Sequence, residues 1–166
     1  MKSLTCWMHR ALGCTLGCAL LSVLFPPLLS AQSPQVLSVG EIQAAHVKRN
    51  ETFTQKVDLE LKEGFHVNSN TPVDIYLIPF RLRWVGGPLD TEQISYPKAT
   101  MQKSAFSEKP ISVFSGKFEV QTKFRVPADA AVGSGSMTGK LRYQACTDKE
   151  CLPPKTIDVH LPVEIQ

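Results

Sequence analysis

The cysteines of this chain fall into two groups. Cys6, Cys14 and Cys18 lie among the first twenty residues, whereas Cys146 and Cys151 lie near the end, within "LRYQACTDKECLPPKT". Two closely spaced thiols can form a structural disulfide, bind a metal ion together with other ligands, or exchange disulfides with a second protein. The chemistry of the late pair therefore depends on the elements that position it.

The composition around the late pair weakens two of these interpretations. A metal site is not predicted, because the other candidate ligands after residue 31 are histidines at 46, 66 and 160 and scattered carboxylates, without a second close pair. A thioredoxin-type site needs CxxC at the start of a helix, and this spacing is longer. A disulfide that closes a loop of about six residues adds only about 2 kcal/mol in the chain-entropy model. A structural bridge and an exchangeable bridge both remain open on this chemistry alone.

The N-terminal segment predicts export. It has a basic start, an apolar run over residues 11–29, and the small residues Ser30 and Ala31 at its end. This is the pattern of a secretory signal peptide, so we expect residues 1–31 to be removed by cleavage after Ala31. An uncleaved anchor, or a lipid attached at Cys14 or Cys18, is the alternative, but glycines and prolines interrupt the run that a membrane helix would need.

The mature chain, residues 32–166, has the size of one domain. The sequence has 18 basic and 15 acidic residues, and the leader holds two of the basic ones, so the mature net charge is 16 − 15 = +1. No clustered basic face indicates nucleic-acid binding. We expect a periplasmic monomer without a cofactor, in an oxidising compartment where cysteine pairs form disulfides.

The pattern of the mature chain is that of β-strands. Apolar and polar residues alternate in "FTQKVDLEL", "PFRLRWV", "KFEVQTKFRV", "MTGKLRYQA" and "TIDVHLPVEI", which is typical of strands with one buried face. No stretch keeps the apolar period of a helix. Turn residues separate these runs, and "GSGS" at 133–136 is predicted to be a loop. We therefore predict an all-β fold, an immunoglobulin-like antiparallel sandwich.

Three side chains have two interpretations each. His66 could face the cysteine site, although a buried, hydrogen-bonded strand histidine is the preferred interpretation. Tyr143 either lines the site or fills the core as an alternating aromatic residue. Trp84 is predicted to belong to the core.

The cysteine segment resembles a known motif. "YQACTDKECLPP" is similar to the cysteine motif of the N-terminal periplasmic domain of DsbD, a bacterial thiol–disulfide transporter, at Tyr143, Gln144, Cys146, Cys151, Pro153 and Pro154. The segments "EGFHVNSNTP" and "ISYPKA" add to a resemblance that extends from about residue 42 to the end. The family fold is an immunoglobulin-like sandwich, as the strand pattern predicts independently.

The resemblance implies an electron relay. Cys151 matches the family cysteine that forms the mixed disulfide, and Cys146 would resolve it. The segment "KSAFSEKP" would be a loop, with Phe106 as the cap over the pair. The remaining motif residues would line the site. The implied partners are thioredoxin-like periplasmic proteins and possibly a membrane electron transporter, in a setting such as cytochrome c biogenesis. The alternative is a non-enzymatic binding or assembly module with a permanent bridge.

The chain also departs from the family pattern. Ser104 and Ala105 stand where the family's best-known member has an acidic pair before the cap, and the cysteine spacing is one residue shorter. Neither a transmembrane carrier nor a thioredoxin-like domain follows the cysteine segment, so we expect the electrons to come from a separate protein.

Overall fold

A computed structural model describes residues 34–105 and 107–166, and these residues form twelve β-strands and no helix. The strands are β1 (Leu37–Val39), β2 (Ala45–Val47), β3 (Thr52–Leu61), β4 (His66–Asn68), β5 (Arg81–Gly86), β6 (Asp90–Ser95), β7 (Thr100–Ser104), β8 (Ser107–Ser115), β9 (Lys117–Arg125), β10 (Gly133–Tyr143), β11 (Ala145–Cys146) and β12 (Lys155–Ile165). The expected signal peptide lies outside the described residues.

The strands form three sheets of four strands each. The order is β1-β3-β9-β6 in sheet A, β2-β12-β10-β5 in sheet B and β11-β4-β8-β7 in sheet C. The β2–β12 pair is parallel, and the other pairs recorded in these sheets are antiparallel. This architecture confirms the prediction of an all-β, immunoglobulin-like sandwich.

The alternation seen in the sequence is the reason that these segments form half-buried strands. In β3, Val57, Leu59 and Leu61 are buried, while the intervening Asp58 and Glu60 are exposed. The same alternation in β9, β10 and β12 gives sheets A and B one apolar face each. Removing those faces from water is the main stabilising contribution to the sandwich.

The core has two clusters of buried side chains. The larger cluster surrounds Phe80, whose ring meets Tyr96, Phe114 and Phe118 edge to face at centroid distances of 6.2, 5.8 and 5.4 Å. Trp84 packs against both clusters, which confirms its predicted place in the core.

The prediction of a loop at "GSGS" is wrong. Gly133–Ser136 forms the start of β10 and pairs with residues 162–165 of β12. Backbone pairing along a long partner strand outweighs the low strand propensity of glycine and serine. The small residue also has a packing role, because a Cβ atom at Gly135 would lie 3.3 Å from Cγ of Pro88.

Candidate functional site

The two cysteines lie where the chain passes from one sheet to another. Strand β10 ends in sheet B at Tyr143, and after one residue β11 joins sheet C by pairing with β4. In that pairing Ala145 is opposite Val67, and Cys146 is opposite His66. The site is therefore held by backbone pairing in both sheets and not by a free loop.

A tight turn brings the second cysteine back to the first. The backbone N–H of Thr147 donates to the Glu150 carbonyl (2.8 Å), and that of Leu152 donates to the Ala145 carbonyl (2.8 Å). The Thr147 hydroxyl oxygen accepts the N–H of Glu150 at 3.2 Å. Cys146 and Cys151 thus lie opposite each other, with Cα atoms 3.9 Å apart, and their Sγ atoms form a disulfide.

The disulfide joins a buried residue to an exposed one. Cys146 is 2 % exposed, whereas Cys151 belongs to the exposed surface, as do the turn residues before it. The bridge is therefore asymmetric, with its Cys146 end buried and its Cys151 end at the surface.

Side chains from the predicted motif surround the bridge in different ways. Gln144 donates through Nε2 to the carbonyl of Leu152 (3.1 Å), which links the two chain segments that carry the cysteines. Pro153 and Pro154 are exposed beside Cys151. Because proline has no backbone N–H, these two residues cannot donate to a strand ladder, and β12 begins only after them, at Lys155.

Tyr143 belongs to the core. It is 1 % exposed and is part of the larger cluster, and burial raises the pKa of its hydroxyl group. In the described part of the chain the hydroxyl oxygen has no hydrogen-bond partner. The sequence leaves open whether Tyr143 lines the site or fills the core, and the structure favours its place in the core.

The segment that holds the predicted cap is a β-hairpin and not the loop that the sequence predicts. Strands β7 and β8 pair from Thr100 opposite Val113 to Ser104 opposite Ser107. Phe106 lies outside the described residues, so its role as a cap stays a prediction. The residues of β7 are mostly polar and lack the alternating pattern of a strand, so the sequence predicts a loop. Backbone pairing with β8 nevertheless holds them in a strand.

A side-chain hydrogen bond ties the hairpin to the cysteine turn. Nε2 of Gln102 in β7 donates to Oδ1 of Asp148, which lies between the two cysteines (3.1 Å). Sequence reasoning missed Gln102, because the contact joins residues 46 positions apart and no local pattern marks it.

His66 lies in β4 and is 2 % exposed. Burial lowers the pKa of its imidazole, and the charge of Asp148 acts in the opposite direction. The prediction of a buried strand histidine is confirmed, but the predicted hydrogen bond is absent at Nε2, which has no partner among the described residues.

Strand β4 is buried on both of its faces. Val67 and Ala145 belong to the core cluster, so the alternation of strands places His66, Asn68 and Cys146 on the opposite face of sheet C. Asn68 Nδ2 donates to the carbonyl of Ile78 (3.1 Å), but its Oδ1 has no partner within the described ranges. Sequence reasoning missed Asn68, although the alternation in "HVN" was a usable signal.

The fold and this site define a class of protein: an immunoglobulin-like domain that carries a half-exposed disulfide at a strand crossover. Residues 33–162 match the family described as "Thiol:disulfide interchange protein DsbD, N-terminal". Since this match covers most of the sequence, the chain belongs to that family. The family therefore places the chain in the context of thiol–disulfide interchange. Nothing among the curated proteins matches it.

Several solved structures are similar to the chain. The Neisseria meningitidis DsbD N-terminal domain in the reduced form is 18% identical, with a TM-score of 0.42, over 66% of this chain and 76% of that one. The N-terminal periplasmic domain of ScsB from Proteus mirabilis is 11% identical, with a TM-score of 0.47, over 77% of this chain and 44% of that one. A ScaB type I cohesin from Pseudobacteroides cellulosolvens is 14% identical, with a TM-score of 0.44, over 79% and 92%.

The described residues contain no helix that is long and apolar enough to cross a membrane.

Proposed function

We propose that this protein is a periplasmic thiol–disulfide exchange domain. It passes two electrons between its Cys146–Cys151 pair and the disulfides of thioredoxin-like proteins. The observation that carries the proposal is the asymmetry of the bridge, which joins the buried Cys146 to the exposed Cys151. Membership of the thiol–disulfide interchange family supports the same chemistry.

The exchange reaction assigns a different role to each cysteine. In the reduced domain, the Cys151 thiolate attacks the disulfide of the partner, which forms a mixed disulfide and releases one partner thiolate. Cys146 then attacks Sγ of Cys151, which closes the intramolecular bridge and releases the second partner thiolate. The domain loses two electrons and the partner gains them, and the reverse sequence reduces the domain again.

Access to Cys151 is proposed to depend on the β7–β8 hairpin, with Phe106 as the cap. The hydrogen bond from Gln102 to Asp148 supports this arrangement, because it ties the hairpin to the turn between the cysteines. Gln144, Pro153 and Pro154 shape the exposed rim. We propose that residues 1–31 direct export, and that a thioredoxin-like protein or a membrane electron transporter supplies the electrons.

The reduction potential of the pair tests the proposal. The purified protein is equilibrated in glutathione and then dithiothreitol buffers, and its thiols are counted by alkylation and mass spectrometry. A potential between those of thioredoxin and DsbA, roughly −270 to −120 mV, makes exchange with thioredoxin-like proteins practical. A potential below about −300 mV is typical of structural disulfides and would favour a permanent bridge in a binding module.

A trapping experiment tests the roles of the two cysteines. A Cys146→Ser variant keeps the exposed cysteine and should accumulate a mixed disulfide with a thioredoxin-like protein, because nothing resolves it. The matched Cys151→Ser variant keeps only the buried cysteine and should trap little. If Cys151→Ser trapped the partner more efficiently, the assignment of the two roles would be reversed.

A further inference from the structure

The structure places a histidine directly beside the buried cysteine. Cys146 in β11 and His66 in β4 are directly opposite in an antiparallel pair. Side chains of such pairs lie on the same face of the sheet, with Cβ atoms about 4.5–5.5 Å apart. Among the described residues, His66 is therefore the titratable cross-strand neighbour of Cys146.

The imidazole is buried without a partner for one of its ring nitrogens. Nε2 of His66 is enclosed and makes no hydrogen bond to the described part of the protein. A buried polar atom without a partner costs free energy, so its retention here calls for an explanation. In a neutral imidazole one ring nitrogen carries a hydrogen and donates a hydrogen bond, and the other has a lone pair that can accept a hydrogen bond or a proton.

The exchange reaction needs a proton acceptor at this position. A thiol buried in apolar surroundings keeps its proton more tightly than an exposed one, and only the thiolate attacks a disulfide. Cys146 is 2 % exposed, so water has little access to take its proton. The Cys151 thiol, at the exposed end of the pair, can lose its proton to solvent.

We propose that His66 is the internal acid–base residue of the exchange site, taking the proton from Cys146 when the pair closes and returning it when the pair opens. This inference rests on the proposed function and adds a proton path to it.

The step is balanced in protons and electrons. Neutral His66 takes the proton of the Cys146 thiol and becomes an imidazolium ion. The Cys146 thiolate attacks Sγ of Cys151 in the mixed disulfide, the bond from Cys151 to the partner sulfur breaks, and the partner leaves as a thiolate with the electron pair. The imidazolium then loses its proton to solvent or to that thiolate.

The charges around His66 suit this role. Burial lowers the pKa of His66 and keeps the imidazole neutral and ready to accept a proton at neutral pH, while the Asp148 carboxylate stabilises the imidazolium ion once it forms. Gln102 holds this carboxylate through Nε2. On its other side His66 pairs with Ser115 of β8, which does not titrate near neutral pH.

A small disulfide probe separates the two steps of the reaction. The reduced protein reacts with 5,5′-dithiobis(2-nitrobenzoate), and Cys151 releases the first thionitrobenzoate as the mixed disulfide forms. Cys146 releases the second as it resolves that disulfide. A stopped-flow absorbance record therefore shows two phases, and a Cys146→Ser variant identifies the first, because it shows that phase alone.

The expected result concerns only the second phase. His66→Gln should slow it at least about tenfold at pH 7, since general-base assistance is typically worth more than that, and should leave the first phase unchanged. In the unsubstituted protein the second phase should decline in acid, as His66 takes up a proton, and because burial lowers the pKa of His66 this decline should lie below the usual histidine range. The matched variant His160→Gln changes an exposed histidine of β12 and should alter neither phase.

The outcomes separate the two proposals. If both phases are seen and His66→Gln changes neither, the role of His66 is wrong while the exchange function stands. If the unsubstituted protein never releases the second thionitrobenzoate, the exchange function itself fails. Should His66→Gln not fold, the pH profile of the unsubstituted protein decides: a second phase that levels off above the pH at which His66 loses its proton supports the role of His66, whereas a rate that rises steadily from about pH 5 to 9, as formation of a free thiolate alone predicts, would overturn it.

Discussion

Reduction of the Cys146–Cys151 bridge should destabilise the protein only modestly. The bridge closes a loop of six residues, since the cysteines are five positions apart, and the chain-entropy model gives about 2 kcal/mol for a loop of that size. The turn has its own backbone hydrogen bonds, from Thr147 to Glu150 and from Leu152 to Ala145, and we expect them to persist on reduction. These bonds do not depend on the sulfur atoms, so we expect no further loss.

Urea unfolding with and without dithiothreitol measures this quantity. The fluorescence of Trp84, which packs against both core clusters, reports the unfolding of the domain. With a urea slope of roughly 2 kcal/mol/M, a loss of about 2 kcal/mol lowers the midpoint by about 1 M. The double variant Cys146→Ser with Cys151→Ser is the control, and dithiothreitol should not change its midpoint.

The size of the loss distinguishes the two functions. An exchange domain must remain folded in both redox states, so a small loss is required for a cycle. A loss of about 4 kcal/mol or more, or the disappearance of a cooperative transition on reduction, would refute this reasoning. The bridge would then be a structural element, and the function would have to be sought elsewhere on the sandwich.

Three further predictions each concern a single side chain. Burial lowers the pKa of His66, so below about pH 6.5 the unfolded chain binds more protons than the folded protein. The free energy of unfolding should therefore fall as the pH drops through that value. Urea titrations from pH 8 to 5 should show a weaker dependence of the free energy of unfolding on pH in His66→Phe. Gln102→Ala removes the bond to Asp148 and should speed alkylation of the reduced pair several-fold, measured against the unsubstituted protein, whereas an unchanged rate would show that the tie does not restrict access. Trp84→Phe leaves the buried Thr122 hydroxyl without its indole donor (3.0 Å) and should lower the free energy of unfolding in urea by about 1–3 kcal/mol. Adding Thr122→Val should restore part of that loss, and no restoration would contradict the role of this bond.

The strands were predictable because their signal is local. The alternation in β3 and β5 follows directly from a sheet with one buried face, and burial enforces it at every second residue. The start of β10 was not predictable in this way. Its glycines and serines are held in a strand by pairing with residues 162–165, which no local pattern shows.

The candidate site was predictable in its cysteines but not in its surroundings. The motif indicates Cys146 and Cys151, and it says nothing of the crossover that buries one of them and exposes the other. The contact of Gln102 with Asp148 and the pairing of Cys146 with His66 both join residues far apart in the sequence. Such contacts depend on the topology of sheet C, and a single sequence does not encode that topology in any local pattern.

The topology also bears on how the proposed exchange site can be part of a stable sandwich. Two strand pairs form the long ladders, β3–β9 and β10–β12. In the second, all eleven residues of β10 are paired with β12. Cys146 lies instead in β11, a strand of two residues at the edge of sheet C that pairs with β4. Opening the bridge therefore removes a constraint at the margin of sheet C while the main ladders and the cluster around Phe80 stay intact. We therefore expect the bond between Cys146 and Cys151 to break and re-form without unfolding the domain, as the proposed exchange cycle requires.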